Sequence, residues 1–159
     1  MKHLVLLFAA IAPLAAGAQS YSMSTLQDLP SVAVTVRAIT PDGVRFGVVE
    51  ATLVKNVSDV LAAAGVKVVP PAEAADASDL PAVEITALVS KLSATGHIYT
   101  LRLALTEVVV LKRKTKNLID LPAVTWEKEA QGYTSSPDRI IGSAITLAER
   151  FSTEWKEAN

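Results

Sequence analysis

Two long runs of alternating apolar residues, separated by a short turn, constrain the fold of this chain more than any other feature of its sequence. In the first run, Ala82 to Leu92, every second residue from Val83 to Val89 is apolar. The second run, His97 to Leu111, carries its apolar residues at Tyr99, Leu101, Leu103, Leu105, Val109 and Leu111. Such alternation is typical of strands with one buried face, and the turn Ser93 to Gly96 between them predicts an antiparallel hairpin.

A further strand is predicted before the hairpin and another after it. The first has its apolar face at Val32, Val34, Val36 and Ala38. Thr40 to Gly43 has the composition of a turn that ends this strand, and a short extended piece is predicted at Val44 to Phe46. After the hairpin, Val124 to Tyr133 is predicted as a strand with Trp126 as its buried anchor.

The spacing of apolar residues changes to the helical period after the first strand. The positions that repeat at this spacing are Val49, Leu53, Val57, Val60, Leu61 and Ala64. Gly65 follows them, where a left-handed C-cap is expected. Val66 to Val69 is then predicted as a brief strand that Pro70 stops, and Ala72 to Pro81 as an exposed loop.

A second helix is predicted near the C-terminal end of the sequence. Ser136 is its expected N-cap, Pro137 its first helical position, and Asp138 an acid near the positive end of the helix dipole. One stripe of this helix consists of Ile140, Ala144, Leu147, Phe151 and Trp155. We expect Phe151 and Trp155 to be buried against the sheet because they share this stripe.

The order of these elements predicts an α+β fold, a two-layer α/β sandwich. One layer is a mixed, mostly antiparallel sheet of about five strands, and the other consists of two helices on one face of it. The strands on either side of the first helix are expected to be parallel, because a helical crossover joins them. The other face of the sheet is predicted to be partly wet and is a candidate docking surface. Its polar residues include Thr35, Arg37, Thr86 and Arg102.

The first eighteen residues have the three parts of a secretory signal peptide. A basic start, Met1 to His3, precedes the apolar run Leu4 to Ala12. Ala16 to Ala18 supplies the small residues that a signal peptidase recognises. The apolar stretch up to Ala18 is too short for a transmembrane helix, which needs about 20 residues.

This signal sets the expected domain organisation. Residues 1–18 are predicted to be a signal peptide, residues 19–30 a flexible lead-in, and residues 31–159 a single α/β domain. We expect a mature protein that begins at Gln19 and is periplasmic or secreted.

Composition narrows the classes of function. Half of the residues are apolar, which excludes intrinsic disorder for most of the chain. The 15 Lys+Arg and 16 Asp+Glu give a formal charge of -1, so the chain has no overall attraction to nucleic acid. Cys is absent, which excludes disulfides, thiolate metal sites and a Cys nucleophile.

Several stretches together resemble a family of short, uncharacterised secreted bacterial proteins. They are Leu61 to Val68, the alternating hairpin, Val124 to Trp126 and Phe151 to Asn159. More loosely, the layout is similar to the small periplasmic α/β domains of the curli-secretion-channel type and the penicillin-binding-protein-activator type. The resemblance implies an exported α/β domain and supplies no catalytic residues. Proteins of the activator type are usually anchored to lipid through a Cys, which this chain lacks.

Two groups of residues are candidates for catalysis. His97 is the only histidine after the signal peptide, so a Ser-His-Asp triad or a histidine metal site would have to use it. Its position at a hairpin corner instead favours a structural histidine in a turn or at a strand edge. Glu127 and Glu129 lie on one strand face, as a carboxylate pair for acid–base catalysis would. Beside Lys128 the same pattern is typical of solvated surface charges. No phosphate-binding loop is present, and no metal or cofactor is implied.

A cluster of four cations in five residues stands out in the second half of the chain. It consists of Lys112, Arg113, Lys114 and Lys116. One interpretation is a solvated hairpin tip that also deters pairing of strand edges. The other is a contact with an anionic partner such as lipid headgroups or a cell-wall polymer. Nucleic acid is not favoured, because no aromatic residues are interleaved with the cations.

Two classes of function fit these residues. The preferred one is a non-enzymatic periplasmic binding or adaptor domain, with an envelope protein or an anionic envelope polymer as its partner. The alternative is a hydrolase that acts on cell-envelope material through carboxylates. An acidic pocket would favour the hydrolase, whereas a flat or apolar exposed patch would favour the adaptor.

Overall fold

Five strands form a mixed sheet in the computed structural model, which describes residues 25–70, 73, 80–110 and 120–159. The strands are β1 (Val32–Ile39), β2 (Val68–Val69), β3 (Ala82–Lys91), β4 (His97–Val110) and β5 (Asp120–Thr134). Their order across the sheet is β2-β1-β3-β4-β5. β1 is parallel to both of its neighbours, whereas β4 is antiparallel to β3 and to β5. The predicted hairpin and the predicted parallel pairing of β1 with β2 are therefore confirmed.

Three helices lie in the described part of the chain: α1 (Pro41–Phe46), α2 (Glu50–Ala64) and α3 (Asp138–Ala158). α2 and α3 pack their apolar stripes on one face of the sheet, which confirms the predicted α+β class. The C-cap predicted at Gly65 is also confirmed, because this residue has a φ of 99°. The N–H groups of Gly65 and Val66 close the cap on the carbonyls of Ala62 and Leu61.

Helix α1 corrects one prediction, since residues 40–46 were expected to form a turn and a short extended piece. The reason is the packing of Gly43, which is buried. A Cβ at this position would lie 2.9 Å from Ile39 Cγ2 and 3.2 Å from Val89 Cγ2. The absence of a side chain therefore lets the helix lie close against β1 and β3. Pro41 is tolerated in its first turn, where the missing N–H has no helical partner to lose.

The core lies between the sheet and the pair of helices α2 and α3. Its largest fully buried side chains include Trp126, Phe151, Leu53, Leu61, Ile85, Leu101, Leu103, Leu105, Ile140 and Leu147. Trp126 of β5 and Phe151 of α3 meet edge to face, with ring centroids 4.9 Å apart. Burial of each such side chain stabilises the fold by about 1.5–3 kcal/mol.

Helix α3 begins at Asp138 with Pro137 as its N-cap, one residue later than predicted, although Ser136 still contacts its first turn. The backbone N–H of Asp138 donates to Ser136 Oγ at 3.3 Å, and Pro137 has helical dihedral angles. Phe151 is fully buried, as expected. Trp155 is only partly buried, and its ring lies close to Gly65 at the end of α2. The prediction of burial is therefore right for Phe151 and right only in part for Trp155.

A shift in register changes which residues of β1 face the core. The pairing of β1 with β3 is regular up to Val36 and resumes at Ala38, so one residue bulges between them. Ala38 is consequently exposed, although it was predicted on the buried face with Val36. Ile39 packs against the core in its place.

The segment before β1 contacts the core through Leu26 and, in part, through Leu29. Leu26 is fully buried, and its carbonyl accepts a hydrogen bond from the Asn159 amide at 2.9 Å. The predicted signal peptide, residues 1–18, lies outside the described residues, as does most of the predicted loop at 72–81. Within the described ranges, no helix is both long enough and apolar enough to cross a membrane.

Candidate functional site

The cationic cluster predicted to contact an anionic partner lies outside the described residues. Lys112, Arg113, Lys114 and Lys116 fall between the end of β4 and the start of β5. Their role stays a prediction. The other two groups singled out in the sequence, His97 and the glutamate pair, are both described.

His97 is the first residue of β4, at the corner of the hairpin. Its ring stacks on Phe46 of α1, with centroids 3.8 Å apart and an angle of 30° between the planes. Nδ1 is buried, and no described residue forms a hydrogen bond with it. Because no serine hydroxyl of the described chain bonds to this ring, the geometry fits a packing role at the strand edge better than a catalytic triad.

Asp42 lies in the same cleft as His97 and fixes the end of β3. Its carboxylate accepts a hydrogen bond from the backbone N–H of Lys91 at 3.1 Å and another from Arg45 Nη2 at 2.7 Å. These two donors, the Lys91 N–H first, lower the pKa of Asp42 below its usual value of 3.8. The carboxylate is thus held ionised as a structural acceptor.

Glu127 and Glu129 share one face of β5, as predicted, but they are not a free carboxylate pair. Arg102 donates from Nε to Glu127 Oε2 at 2.9 Å and also from Nη2 to the same oxygen. Both glutamates are exposed on the sheet surface. Acid–base catalysis by a carboxylate pair is favoured by a cleft that excludes water, and this surface does not enclose the two groups.

The sheet face opposite α2 and α3 is here called the open face. At its centre the charges pair across strands, since Arg37 Nη1 lies 3.0 Å from Glu84 Oε2. The same Glu84 oxygen accepts a hydrogen bond from Thr106 Oγ1 at 3.1 Å. Together with the Arg102–Glu127 pair, these contacts leave the centre of the face close to electrically neutral. The predicted wet face is thus polar at Arg37 and Arg102, as expected.

The end of the open face nearest the β3–β4 turn is apolar. Leu88, Ile98 and Tyr133, here called the apolar patch, are 49%, 46% and 54% exposed. Ile98 pairs directly with Tyr133 across β4 and β5, and Leu88 lies diagonally from Ile98 on β3. Exposed apolar side chains that adjoin one another in this way are typical of docking surfaces.

A shallow depression of about 370 Å³ lies within this patch. Leu88, Ile98, Ser90, Thr100 and Gln131 contribute to its lining. Among the described residues that line it, none carries a charge. The surface can therefore bury apolar groups and offer hydroxyl and amide hydrogen bonds, which is the mixture found at many protein interfaces.

The position of Tyr133 in the patch depends on a glycine. A Cβ at Gly96 would lie 2.0 Å from the Tyr133 hydroxyl oxygen and 2.4 Å from Cζ, so only glycine leaves room for the ring at the hairpin turn. None of the three patch residues was predicted from the sequence to be functional. The signal was present, since Leu88 and Ile98 are apolar at strand positions that should face water.

Comparison with known proteins gives no family for this chain. No family model matches it, and no curated protein matches it. Among solved structures, a PelC dodecamer from Paraburkholderia phytofirmans is similar at 16% identity and a TM-score of 0.41, with 79% of this chain and 86% of that chain covered.

Two lipoproteins are also similar. The minor lipoprotein from Acinetobacter baumannii is 14% identical, with a TM-score of 0.30, and 80% of this chain and 88% of that chain are covered. The rare lipoprotein B from Shewanella oneidensis is 10% identical, with a TM-score of 0.31, and 80% and 92% are covered. At these TM-scores the three proteins assign no function to this chain.

Proposed function

We propose that this protein is a non-enzymatic binding or adaptor domain of the bacterial periplasm, and that it docks an envelope protein through the apolar patch of its open face. The observation that carries the proposal is the exposure of Leu88, Ile98 and Tyr133 on three neighbouring strands. Export to the periplasm is taken from the predicted signal peptide.

The chemistry of the patch favours a protein over an anionic polymer as the occupant. A polymer of negative charge would need unpaired cations, whereas the lining of the depression is neutral. Arg102, two residues after Thr100 on β4, already donates twice to Glu127. An apolar surface with an exposed tyrosine instead fits the buried centre of a protein interface, where aromatic residues are enriched.

The carboxylates support the binding function over the alternative hydrolase. Glu127 is neutralised by Arg102, and Glu84 by Arg37. Asp42 is occupied by a backbone N–H and a guanidinium. These three carboxylates therefore each have a structural partner.

Site-specific photo-crosslinking in intact cells tests this proposal. A photoreactive phenylalanine analogue replaces Leu88 in one strain and Thr35, at the other end of the open face, in a control strain. We expect one discrete crosslinked protein from position 88 and none from position 35. We also expect Ile98→Asp to abolish the crosslink from position 88 while the protein remains folded and exported. Equal crosslinking from both positions, or crosslinking that Ile98→Asp leaves unchanged, would show that the patch is not a docking surface.

A further inference from the structure

A second surface, on the opposite side of β5 from β4, combines a free strand edge with a helix. β5 is the last strand in the sheet order, so its outer edge has no strand partner among the described residues. Such an edge presents backbone N–H and C=O groups that another extended chain can pair with.

Helix α3 forms the wall of a groove along this edge. The groove measures about 500 Å³ and is lined by Glu129 and Gln131 of β5 and by Arg139, Gly142, Thr146 and Arg150 of α3. The middle of this wall carries no side chain, since it is formed by Gly142, and a Cβ there would meet nothing within 4 Å. We call this surface the edge groove. The open space beside Gly142 leaves room for the side chains of an added strand.

The charged residues that line the edge groove are two arginines and one glutamate, so its net charge is positive. Arg139 and Arg150 are exposed, and within the described residues neither forms an ion pair. By contrast, Lys128 in the neighbouring part of β5 is paired with Glu154 at 3.1 Å. Two cations on one helix stripe therefore remain available for a partner with negative charge.

The spacing of the two arginines matches an extended chain. They stand eleven positions apart on α3, which is about three turns and about 16.5 Å at 1.5 Å per residue. Side chains four residues apart on a strand lie on the same face and about 13.6 Å apart. The flexible arginine side chains can span the difference of about 3 Å.

We propose that the edge groove binds an extended acidic peptide, which adds to the sheet as a strand beside β5 and directs two carboxylates to Arg139 and Arg150. An acidic polysaccharide would satisfy the arginines but would leave the strand edge without a matching ladder of hydrogen bonds. A second copy of β5 is disfavoured, because it would bring the Glu127 and Glu129 side chains of both copies onto one face of the joined sheet. This site adjoins the apolar patch, since Gln131 lines both the edge groove and the depression.

Fluorescence anisotropy with designed peptides tests the proposal on the purified, signal-cleaved protein. The probe is a labelled Thr-Glu-Thr-Ala-Thr-Glu-Thr peptide, whose two glutamates are four residues apart and share one face. The control peptide, Thr-Glu-Thr-Ala-Glu-Thr-Thr, has the same composition, but its glutamates fall on opposite faces. We expect the probe to bind more tightly than the control. Equal affinity of the two peptides would overturn the proposal.

Variants of the protein and of the probe separate the two parts of the site. Arg139→Gln and Arg150→Gln should each weaken binding of the probe about threefold, which is the effect of one exposed ion pair. The matched control Lys67→Gln should not change the affinity.

N-methylation of alternate amides of the probe tests the strand pairing. Methyl groups on the edge of the peptide that faces β5 should abolish binding, whereas methyl groups on its outer edge should leave binding unchanged. Binding that is insensitive to both arginine changes, or to both patterns of N-methylation, contradicts an added strand. Arginine-dependent binding of alginate without binding of the probe would assign the groove to a polysaccharide instead.

Discussion

Glu154 of α3 accepts a hydrogen bond from the indole N–H of Trp126 on β5, with 2.6 Å between Oε2 and Nε1. Its other carboxylate oxygen lies 3.1 Å from Nζ of Lys128 on the same strand. One side chain thus satisfies the polar atom of a tryptophan that is only 2% exposed and also pairs with a cation at the edge of the core. Both contacts fix the helix in register with the strand.

Glu154→Ala is expected to lower the free energy of unfolding by about 1–3 kcal/mol, because it leaves a buried indole N–H without an acceptor. Glu154→Gln keeps an oxygen acceptor and should lose less. Lys128→Met removes only a partly exposed ion pair and should cost at most about 1 kcal/mol. Urea unfolding followed by tryptophan fluorescence measures all three. A Lys128→Met loss as large as that of Glu154→Ala would show that the ion pair, and not the indole contact, is the stabilising one.

Two glycine-to-alanine changes should act in opposite directions. At Gly132 a Cβ would lie 2.9 Å from the ring of Tyr99, which is buried, so Gly132→Ala should destabilise the protein by about 1–3 kcal/mol. At Gly142, in an exposed part of α3, a Cβ meets nothing, so Gly142→Ala should stabilise it by about 0.5–1 kcal/mol. Thermal and urea unfolding report the signs, and two effects of the same sign would contradict the packing described for Tyr99.

Asp42 should contribute to acid sensitivity. Because the Lys91 N–H and Arg45 lower the pKa of its carboxyl below 3.8, its stabilising effect is present above pH 3.8 and is lost as the pH falls through the lowered value. The difference in unfolding free energy between wild type and Asp42→Asn is therefore expected to be constant near neutral pH and to shrink below pH 3.8. Arg45→Gln should reduce this dependence only in part, since the backbone donor remains. If the difference in unfolding free energy between wild type and Asp42→Asn does not vary between pH 6 and pH 2.5, this role of the Asp42 carboxylate is contradicted.

Phe151 and Trp155 should differ in their importance for stability, although both lie on the stripe of α3 predicted to be buried. Phe151→Ala empties a fully buried site and should cost about 3–5 kcal/mol. Trp155→Ala removes a partly exposed ring from Gly65 and should cost clearly less. Comparison of the two denaturation midpoints checks this, and an equal loss would place Trp155 in the core after all.

The cationic cluster at Lys112, Arg113, Lys114 and Lys116 yields a prediction that depends on sequence alone. Near an anionic membrane each cation should contribute about 1 kcal/mol to binding, and this attraction should fade as salt rises. Replacement of all four by Gln is expected to abolish salt-sensitive co-sedimentation with anionic vesicles while stability stays nearly the same. If wild type and variant sediment equally, the cluster serves solubility only.

Long periodic segments made most of the fold predictable. The alternation in β3 and β4 and the helical stripes of α2 and α3 each repeat over ten or more residues, so the pattern identifies both the element and its buried face. α1 is too short for a period, and its packing depends on Gly43 meeting Ile39 and Val89, which lie on two different strands. Leu26 is fully buried and Leu29 packs against the core, but two leucines do not form a repeat that would mark this segment as buried.

Of the candidate site, the sequence predicted only which face of the sheet contains it. The polar positions Arg37 and Arg102 indicated which side of the sheet is wet. The apolar patch depends on register, because Ile98 and Tyr133 are 35 positions apart and become neighbours only when β4 pairs with β5. The edge groove likewise follows from the place of β5 at the end of the strand order, which no local pattern specifies.

The mixed pairing of the sheet has a consequence for the order in which the protein folds. β3, β4 and β5 are successive along the chain, so their antiparallel pairing closes short loops. By contrast, Val34 of β1 pairs with Val83 of β3 across two intervening helices and the strand β2. Closing that longer loop costs more chain entropy, so we expect β1 to join the sheet late and to leave it early. Native-state amide exchange should then be faster in β1 than at the centre of β4, and the parallel half of the sheet would govern how often the core opens.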